Sequence, residues 1–200
     1  MIANPHVQMF YRYNPYSKSL TAESYDHAQM LSLRQGAINQ ARQAVSSLKT
    51  AVFGIILGTL GRQGNPALLQ RIRTMLHKHG QKTFLLLLSE ISPNKLATMD
   101  DKVDVWVQIA CPRLSIDWGH YFGKKPLLSP YEAHAMWDEK LMHEEGDGSN
   151  GHPYPMDFYA QNGGPWSNYH PENKTRQCKC TSETGCETPN REGSSRPCLS

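Results

Sequence analysis

The sequence contains no long apolar run of the kind that marks a membrane protein. Its longest apolar stretches, residues 51–60 and 84–88, are well short of the roughly 20 residues that cross a bilayer. The first residues, Met1 to His6, lack the basic region followed by an apolar region that defines a secretory signal. We therefore expect a soluble chain with no membrane partner.

Cysteine is scarce, and its distribution argues against a disulfide framework. There are 5 cysteines, an odd number, of which Cys111 follows an apolar run and the others lie in a polar tail. Small secreted domains instead carry even numbers of cysteines at regular spacing. This pattern predicts a reducing, cytoplasmic location.

Strong charge of either sign is also missing. Lys and Arg number 21 against 18 Asp and Glu, which gives a formal net charge of +3. Proteins that bind nucleic acids usually carry a pronounced basic excess, so we expect no nucleic-acid partner. Hydrophobic residues make up 38% of the 200 residues, which is enough for one domain with a buried core.

From residue 50 onward, short apolar segments alternate with helical ones, a pattern typical of parallel sheets. The strands are predicted at residues 51–57, 82–88, 103–110 and 127–128. The helices are predicted at residues 21–46, 66–79, 93–98 and 130–142. We therefore predict an α/β fold with a parallel four-stranded Rossmann-like sheet flanked by helices.

A glycine-rich turn, Gly58-x-x-Gly61-x-x-Gly64, connects the first predicted strand of this sheet to a helix. It lacks the Gly-Lys-Ser/Thr ending of a P-loop and does not match the dinucleotide fingerprint. Its backbone amides would still face the carboxyl edge of the sheet, where they could hold a carboxylate or a ribose. A plain tight turn with a helix cap at Asn65 is an equally good interpretation.

Cys111 is the residue that most strongly suggests chemistry. It follows the β-branched run of residues 103–110, and Pro112, which has no amide hydrogen, ends the strand there. Ligands of open α/β sheets bind at the carboxyl ends of the strands, so the thiol has a favourable place. An inert buried thiol remains the alternative from the sequence alone.

Three segments together resemble the C-terminal part of the large subunit of diphthamide synthase. They are residues 58–65 (GTLGRQGN), 111–119 (CPRLSIDWG) and 154–160 (YPMDFYA), and the resemblance extends from residue 1 to about residue 170. It implies an enzyme that transfers a 3-amino-3-carboxypropyl group from S-adenosylmethionine to a histidine of elongation factor 2, the first step of diphthamide biosynthesis.

The resemblance also implies cofactors and partners. Cys111 would be one of three cysteine ligands of a 4Fe-4S cluster, because the open iron must bind S-adenosylmethionine, the second substrate. The implied partners are the small subunit of diphthamide synthase in a heterodimer, elongation factor 2 and an electron-donor protein.

The resemblance divides the chain into three parts. Residues 1–20 would be a connector from a missing second domain. Residues 21–170 would form the third α/β domain, ending in an aromatic strap that contains Tyr154 and Trp166, and residues 171–200 a disordered tail. With the other ligands absent, we expect the isolated fragment to be inactive.

Other polar residues near the predicted edge have two interpretations each. Arg113 could bind the carboxylate of S-adenosylmethionine, or it could pair with Asp117 to hold the loop. Glu90 could bind a substrate amine or ribose, but a solvated carboxylate is the commoner case. Trp118 is expected to pack.

The tail cysteines are too irregularly spaced to predict a zinc site. They are Cys178, Cys180, Cys186 and Cys198.

Two further functions stay open on the sequence alone. The chain could be a truncated, non-catalytic interaction module that binds the small subunit, or a nucleotide-binding α/β domain that uses the glycine-rich turn.

Overall fold

A computed structural model describes residues 1–60, 64–111, 113–121, 124–138, 141, 153–156, 163–167 and 170. Its helices and strands follow one another in this order: β1 (Phe10–Asn14), β2 (Ser19–Glu23), α1 (His27–Ser47), β3 (Val52–Gly58), α2 (Pro66–Lys78), β4 (Lys82–Leu88), α3 (Pro93–Ala97), β5 (Val105–Ile109), α4 (Leu114–Trp118), a 3₁₀ turn (Gly119–Tyr121), β6 (Leu127–Leu128) and α5 (Pro130–Ala135).

The main sheet has four parallel strands, as the sequence pattern predicted, and their order is β4-β3-β5-β6. The chain starts in the middle of this sheet at β3, adds β4 on one side, and then crosses to β5 and β6 on the other. Because all four strands run in the same direction, the segments that follow them lie at one edge. This edge holds Cys111 and two described glycines of the glycine-rich turn, Gly58 and Gly64.

Each face of the sheet has its own apolar core, because successive side chains of a strand point to opposite faces. Phe53, Ile55 and Val107 pack with α1, α2 and α5 on one face. On the other face, Ile56 and Trp106 pack with Leu96 of α3. Helices therefore flank both faces, in agreement with the predicted fold class.

The N-terminal segment contains a hairpin that the sequence did not predict. β1 and β2 form an antiparallel hairpin in which Thr21 lies opposite Arg12. The long helix predicted to begin at Thr21 therefore starts at His27, where the Asp26 side chain accepts a hydrogen bond from the Gln29 amide at 2.8 Å. Asp26 is a favourable N-cap residue, and it outcompetes the weaker start signal at Thr21.

The predicted boundaries of α2 are confirmed to within one residue. Asn65 caps its start by accepting hydrogen bonds from the amides of Ala67 and Leu68. At its end Gly80 has a φ of 74°, and the Gln81 amide bonds back to the Leu76 carbonyl at 3.0 Å. These are the features of a Schellman motif, which favours glycine at this position.

Three sequence predictions after β5 need correction. The segment 114–121 has no predicted helix but forms α4 and the 3₁₀ turn. Trp118, expected to pack, is 59% exposed because α4 turns its indole ring away from the core. The helix after Ser129 is predicted to reach about Met142, whereas α5 ends at Ala135. The tail of residues 171–200 lies outside the described residues.

Among the helices that the structure describes, none combines the length and apolarity of a membrane span.

Candidate functional site at the sheet edge

Cys111 lies two residues beyond β5, at the carboxyl edge of the sheet, and is half-buried. Its strand is fully buried and runs between β3 and β6. The thiol therefore stands on a rigid part of the fold rather than on a long loop. Such a position suits a ligand that must be held in a fixed place.

Gln108 fixes the backbone around Cys111. Its side chain is completely buried within β5, and its Nε2 donates to the Cys111 carbonyl at 3.1 Å and to the Ser115 hydroxyl at 3.0 Å. Its Oε1 accepts a hydrogen bond from the Ala110 amide at 3.0 Å. The Leu114 amide adds a further bond to the Cys111 carbonyl at 3.1 Å. The turn that carries the thiol is thus tied to both β5 and α4.

Two glycines of the predicted turn lie next to this site. A Cβ atom on Gly58 would lie 2.6 Å from the Ala110 Cβ, so the missing side chain lets the ends of β3 and β5 approach. A Cβ atom on Gly64 would collide with the Gly58 carbonyl. The turn therefore folds back closely on the end of β3, which is a structural reason for glycine at both positions. Gly61 lies outside the described residues.

Arg113 and Asp117 form the ion pair that the sequence analysis offered as one of two interpretations. The Arg113 Nη2 lies 2.9 Å from Asp117 Oδ2, across one turn of α4. The arginine side chain is 58% exposed, so its pairing leaves it accessible to a ligand.

Arg113 also lines an open cleft of about 540 Å³. Arg12, Glu23 and Tyr25 contribute the other polar groups, and Arg12 and Glu23 form an ion pair of 2.7 Å. Burial, with a smaller contribution from the Asp117 carboxylate, raises the pKa of Tyr25. The cleft thus presents two arginines and a protonated phenol beside the loop that carries Cys111.

Glu90 lies at the same edge but apart from the other predicted residues. It follows β4, which β3 separates from β5, and its carboxylate is 3.5 Å from the Lys95 ammonium. Its side chain is 79% exposed. Glu90 is thus an exposed carboxylate beside Lys95 in this structure, and its role as a ligand stays a prediction.

A buried ion pair, which the sequence did not predict, lies against α4, the helix that follows Cys111. Arg34 of α1 and Glu132 of α5 form two parallel hydrogen bonds of 2.7 and 2.6 Å, with side chains only 4% and 0% exposed. Burial alone would raise the pKa of Glu132, but the Arg34 charge and hydrogen bonds hold it below its usual value. The pair is therefore ionised at neutral pH.

The aromatic strap covers this ion pair, as far as its described residues 153–156 and 163–167 show. The Tyr154 hydroxyl donates to Glu132 Oε1 at 2.7 Å, and Trp166 packs edge-on against Tyr131. Burial, and next the Glu132 charge, raise the pKa of Tyr154 far above its ordinary value, so the phenol stays a donor. For these residues the strap packs on its own domain.

Two sequence signals could have revealed these buried groups. Arg34 is four residues after Met30 and four before Ile38, so it falls on the apolar stripe of α1. Gln108 is the one uncharged polar residue in an otherwise apolar strand interior. A polar residue at a core position needs buried partners. Here both residues donate to Ser115 of α4, and Gln108 also donates to the Cys111 carbonyl.

Within the described residues, no three His, Cys, Asp or Glu side chains come together as a metal site. Cys111 is thus the one thiol that this part of the chain offers at the edge. The tail cysteines lie outside the described residues.

Comparison with known proteins gives a consistent result. Residues 1–146 match the family model described as "Putative diphthamide synthesis protein". The human 2-(3-amino-3-carboxypropyl)histidine synthase subunit 1 is 48% identical over 98% of this chain and 41% of its own length. The Yarrowia lipolytica protein of the same name is 52% identical over 82% of this chain and 34% of its own length. The chain thus spans well under half the length of these relatives.

A solved structure shares the architecture. The crystal structure of Dph2 from Pyrococcus horikoshii with a 4Fe-4S cluster superimposes with a TM-score of 0.50 and 25% identity, covering 69% of this chain and 35% of that one. The fold and the extent of the family match agree with each other. The chain belongs to the diphthamide synthesis protein family.

Proposed function

We propose that this chain forms the part of a 3-amino-3-carboxypropyl transferase subunit that supplies Cys111 as one thiolate ligand of a 4Fe-4S cluster. The complete enzyme would transfer the group from S-adenosylmethionine to a histidine of elongation factor 2, the first step of diphthamide biosynthesis. The observation that carries this proposal is the position of Cys111, a half-buried thiol held at the carboxyl edge of a parallel sheet.

The chemistry of Cys111 fits such a cluster, since thiolates are its usual protein ligands. A bound cluster would supply an electron that cleaves a carbon–sulfur bond of S-adenosylmethionine, after reduction by an electron-donor protein. The family resemblance implies two further cysteine ligands, which would come from other parts of the complete subunit. We therefore expect no stable cluster on the isolated chain.

Arg113 would bind the carboxylate of S-adenosylmethionine. It lies two residues from Cys111, its side chain is 58% exposed, and it lines the open cleft. A guanidinium forms strong paired hydrogen bonds with a carboxylate, and Asp117 would hold it in the correct direction. Gly58 and Gly64 would let the turn after β3 approach the same ligand closely, with Gly61 between them.

The test replaces Cys111 with Ser in the complete subunit, together with the small subunit and an electron donor. We expect this variant to lose one cluster ligand and, with it, transfer to elongation factor 2. Mass spectrometry of elongation factor 2 measures the transfer. Cys178→Ser is the matched control, because it removes a thiol of the tail and should leave transfer intact. Normal transfer by Cys111→Ser would overturn the proposal.

One observation favours a second role, docking on the small subunit. β4 is an edge strand, and Leu85 and Leu87 on it are 49% and 57% exposed. Long apolar edge strands are unusual on free protein surfaces. Replacing both leucines with Lys should weaken co-purification with the small subunit if β4 is the contact, whereas unchanged co-purification would exclude it. Family membership removes the need for a separate nucleotide-binding interpretation.

A further inference from the structure

Arg34 has more hydrogen-bond partners than its ion pair with Glu132 requires. Beyond the two bonds to Glu132, its Nη1 donates to the Ser115 carbonyl at 2.7 Å and its Nη2 donates to the Leu127 carbonyl at 2.7 Å. One guanidinium thus joins four elements, α1, α4, β6 and α5. A Cβ atom on Gly119 would collide with Arg34 Nη1, so the end of α4 is shaped to fit this group.

A contribution to stability does not by itself explain a buried ion pair such as Arg34–Glu132. Taking two charges out of water costs several kcal/mol per ion, and apolar replacements of buried ion pairs are often neutral or stabilising. What an apolar side chain cannot supply is a set of directional bonds to two backbone carbonyls. The geometric effect of Arg34 is therefore to fix where α4 and β6 lie relative to α1.

The Ser115 peptide links this network to the candidate cluster ligand. Ser115 accepts from Arg34 through its carbonyl and from Gln108 through its hydroxyl. Gln108 in turn holds the Cys111 carbonyl at 3.1 Å. Arg34 is therefore connected to the Cys111 turn through two buried residues, and every bond of that connection is 3.1 Å or shorter.

From this connection we infer that Arg34 is a positioning residue for Cys111, held in place by Glu132 and by the Tyr154 hydroxyl of the strap. The residue touches no reacting atom. It acts by keeping α4 fixed, and with it the turn that presents the thiol. The inference rests on the proposed function in one respect, the role of Cys111 as a cluster ligand.

Arg34→Lys is the informative variant, because lysine keeps the positive charge opposite Glu132. A single ammonium cannot reproduce the planar fork that reaches Glu132, Ser115 and Leu127 together. The matched control is Arg42→Lys, since Arg42 also lies on α1 and donates to the backbone at Ala135 and Met136, at the end of α5. Both arginines therefore join α1 to α5, but the carbonyls that Arg42 binds do not belong to α4.

The first measurement is the alkylation rate of Cys111 by iodoacetamide in the 200-residue chain, resolved from the tail cysteines by peptide mass spectrometry. Iodoacetamide should alkylate Cys111 about tenfold faster in Arg34→Lys than in wild type, because the variant loses one charge-assisted hydrogen bond. In Arg42→Lys, Cys111 should be alkylated at the wild-type rate. Equal rates in wild type and Arg34→Lys, or equal acceleration in both variants, would overturn the inference.

If Arg34→Lys fails to fold, the double variant Arg34→Met/Glu132→Met removes both charges and leaves no buried ion unpaired. This double variant should fold, and its Cys111 should still be alkylated faster than that of wild type. Alkylation of its Cys111 at the wild-type rate would overturn the inference.

The second measurement uses the complete subunit with its partner. Arg34→Lys should shift the electron paramagnetic resonance spectrum of the reduced cluster, and Arg42→Lys should not. Faster alkylation together with an unchanged spectrum would contradict the role of Cys111 as a ligand while leaving its positioning by Arg34 intact. Unchanged alkylation would contradict the positioning itself, so the two failures are distinguishable.

Discussion

Gly58 and Ala110 lie against each other where β3 and β5 end, so closely that a Cβ atom on Gly58 would stand 2.6 Å from the Ala110 Cβ. The same Cβ atom would stand 3.2 Å from the Ala110 Cα, which belongs to the backbone. A side-chain rotation therefore cannot relieve the contact. The ends of the two central strands would have to separate, directly next to Cys111.

We accordingly predict that Gly58→Ala lowers the free energy of unfolding by about 1–3 kcal/mol, the usual cost of overpacking a close contact. Urea denaturation followed by circular dichroism gives this value. The alkylation rate of Cys111 should rise in the same variant, because the strand end that precedes the thiol moves. If Gly58→Ala proves as stable as wild type, the strand ends yield without cost and the prediction is wrong.

For Gly36→Ala we predict the opposite effect on the free energy of unfolding. Gly36 lies inside α1, and a Cβ atom there would meet nothing within 4 Å. Alanine should therefore raise the free energy of unfolding by about 0.5–1 kcal/mol through helix propensity alone. The urea midpoint should increase with an unchanged slope, whereas a lower midpoint would mean that this face of α1 has an unrecognised contact.

The sheet could be predicted from the sequence because its signals are local. Strands such as β4 are continuous apolar runs, and caps such as Asn65 and the Ser129–Glu132 capping box fix where helices begin. The end of β5 was predictable for a similar reason, since Pro112 cannot continue a ladder. These local signals were sufficient to place Cys111 at the carboxyl edge.

The buried network could not be predicted in the same way, because its partners are far apart in the chain. Arg34 and Glu132 are 98 residues apart, and Arg34 and Ser115 are 81 residues apart. Local periodicity predicts that Arg34 faces inward but gives no indication of its partner. The same limit applies to the β1–β2 hairpin, whose exposed residues lack a clear alternation of apolar and polar side chains.

Arg113 offers a test that separates ligand binding from loop stability. Its ion pair with Asp117 is exposed, so Arg113→Ala should lower the free energy of unfolding by less than about 1 kcal/mol. If its guanidinium binds the carboxylate of S-adenosylmethionine, the KM for this substrate in the complete enzyme should rise about tenfold, as expected for one charge-assisted bond.

Asp117→Asn serves as the control for Arg113→Ala, since it breaks the same ion pair but keeps the arginine. It should change the KM much less. Equal effects of the two variants on KM would assign Arg113 to the structure of the loop rather than to the substrate.

We predict that His134 makes the stability of the fold depend on pH. It lies on α5, and its Nε2 is buried with no hydrogen-bond partner among the described residues. Burial, followed by the charges of Arg71 and His170, lowers the pKa of His134 from 6.5 to about 4. The folded protein therefore keeps this imidazole neutral at pH values where the unfolded chain protonates it.

The sign of the pH effect follows from proton binding. Between about pH 6.5 and pH 4 the unfolded state holds more protons at His134, so its contribution to stability falls as the pH falls, by about 1.4 kcal/mol per pH unit. His134→Gln should flatten the stability profile within this window. His77→Gln is the control, because the His77 side chain is exposed and its ring meets the Thr83 hydroxyl at 2.8 Å on the surface of α2 and β4. Urea midpoints measured at half-unit steps of pH check both variants, and an equally steep profile in His134→Gln would assign the acid sensitivity to other groups.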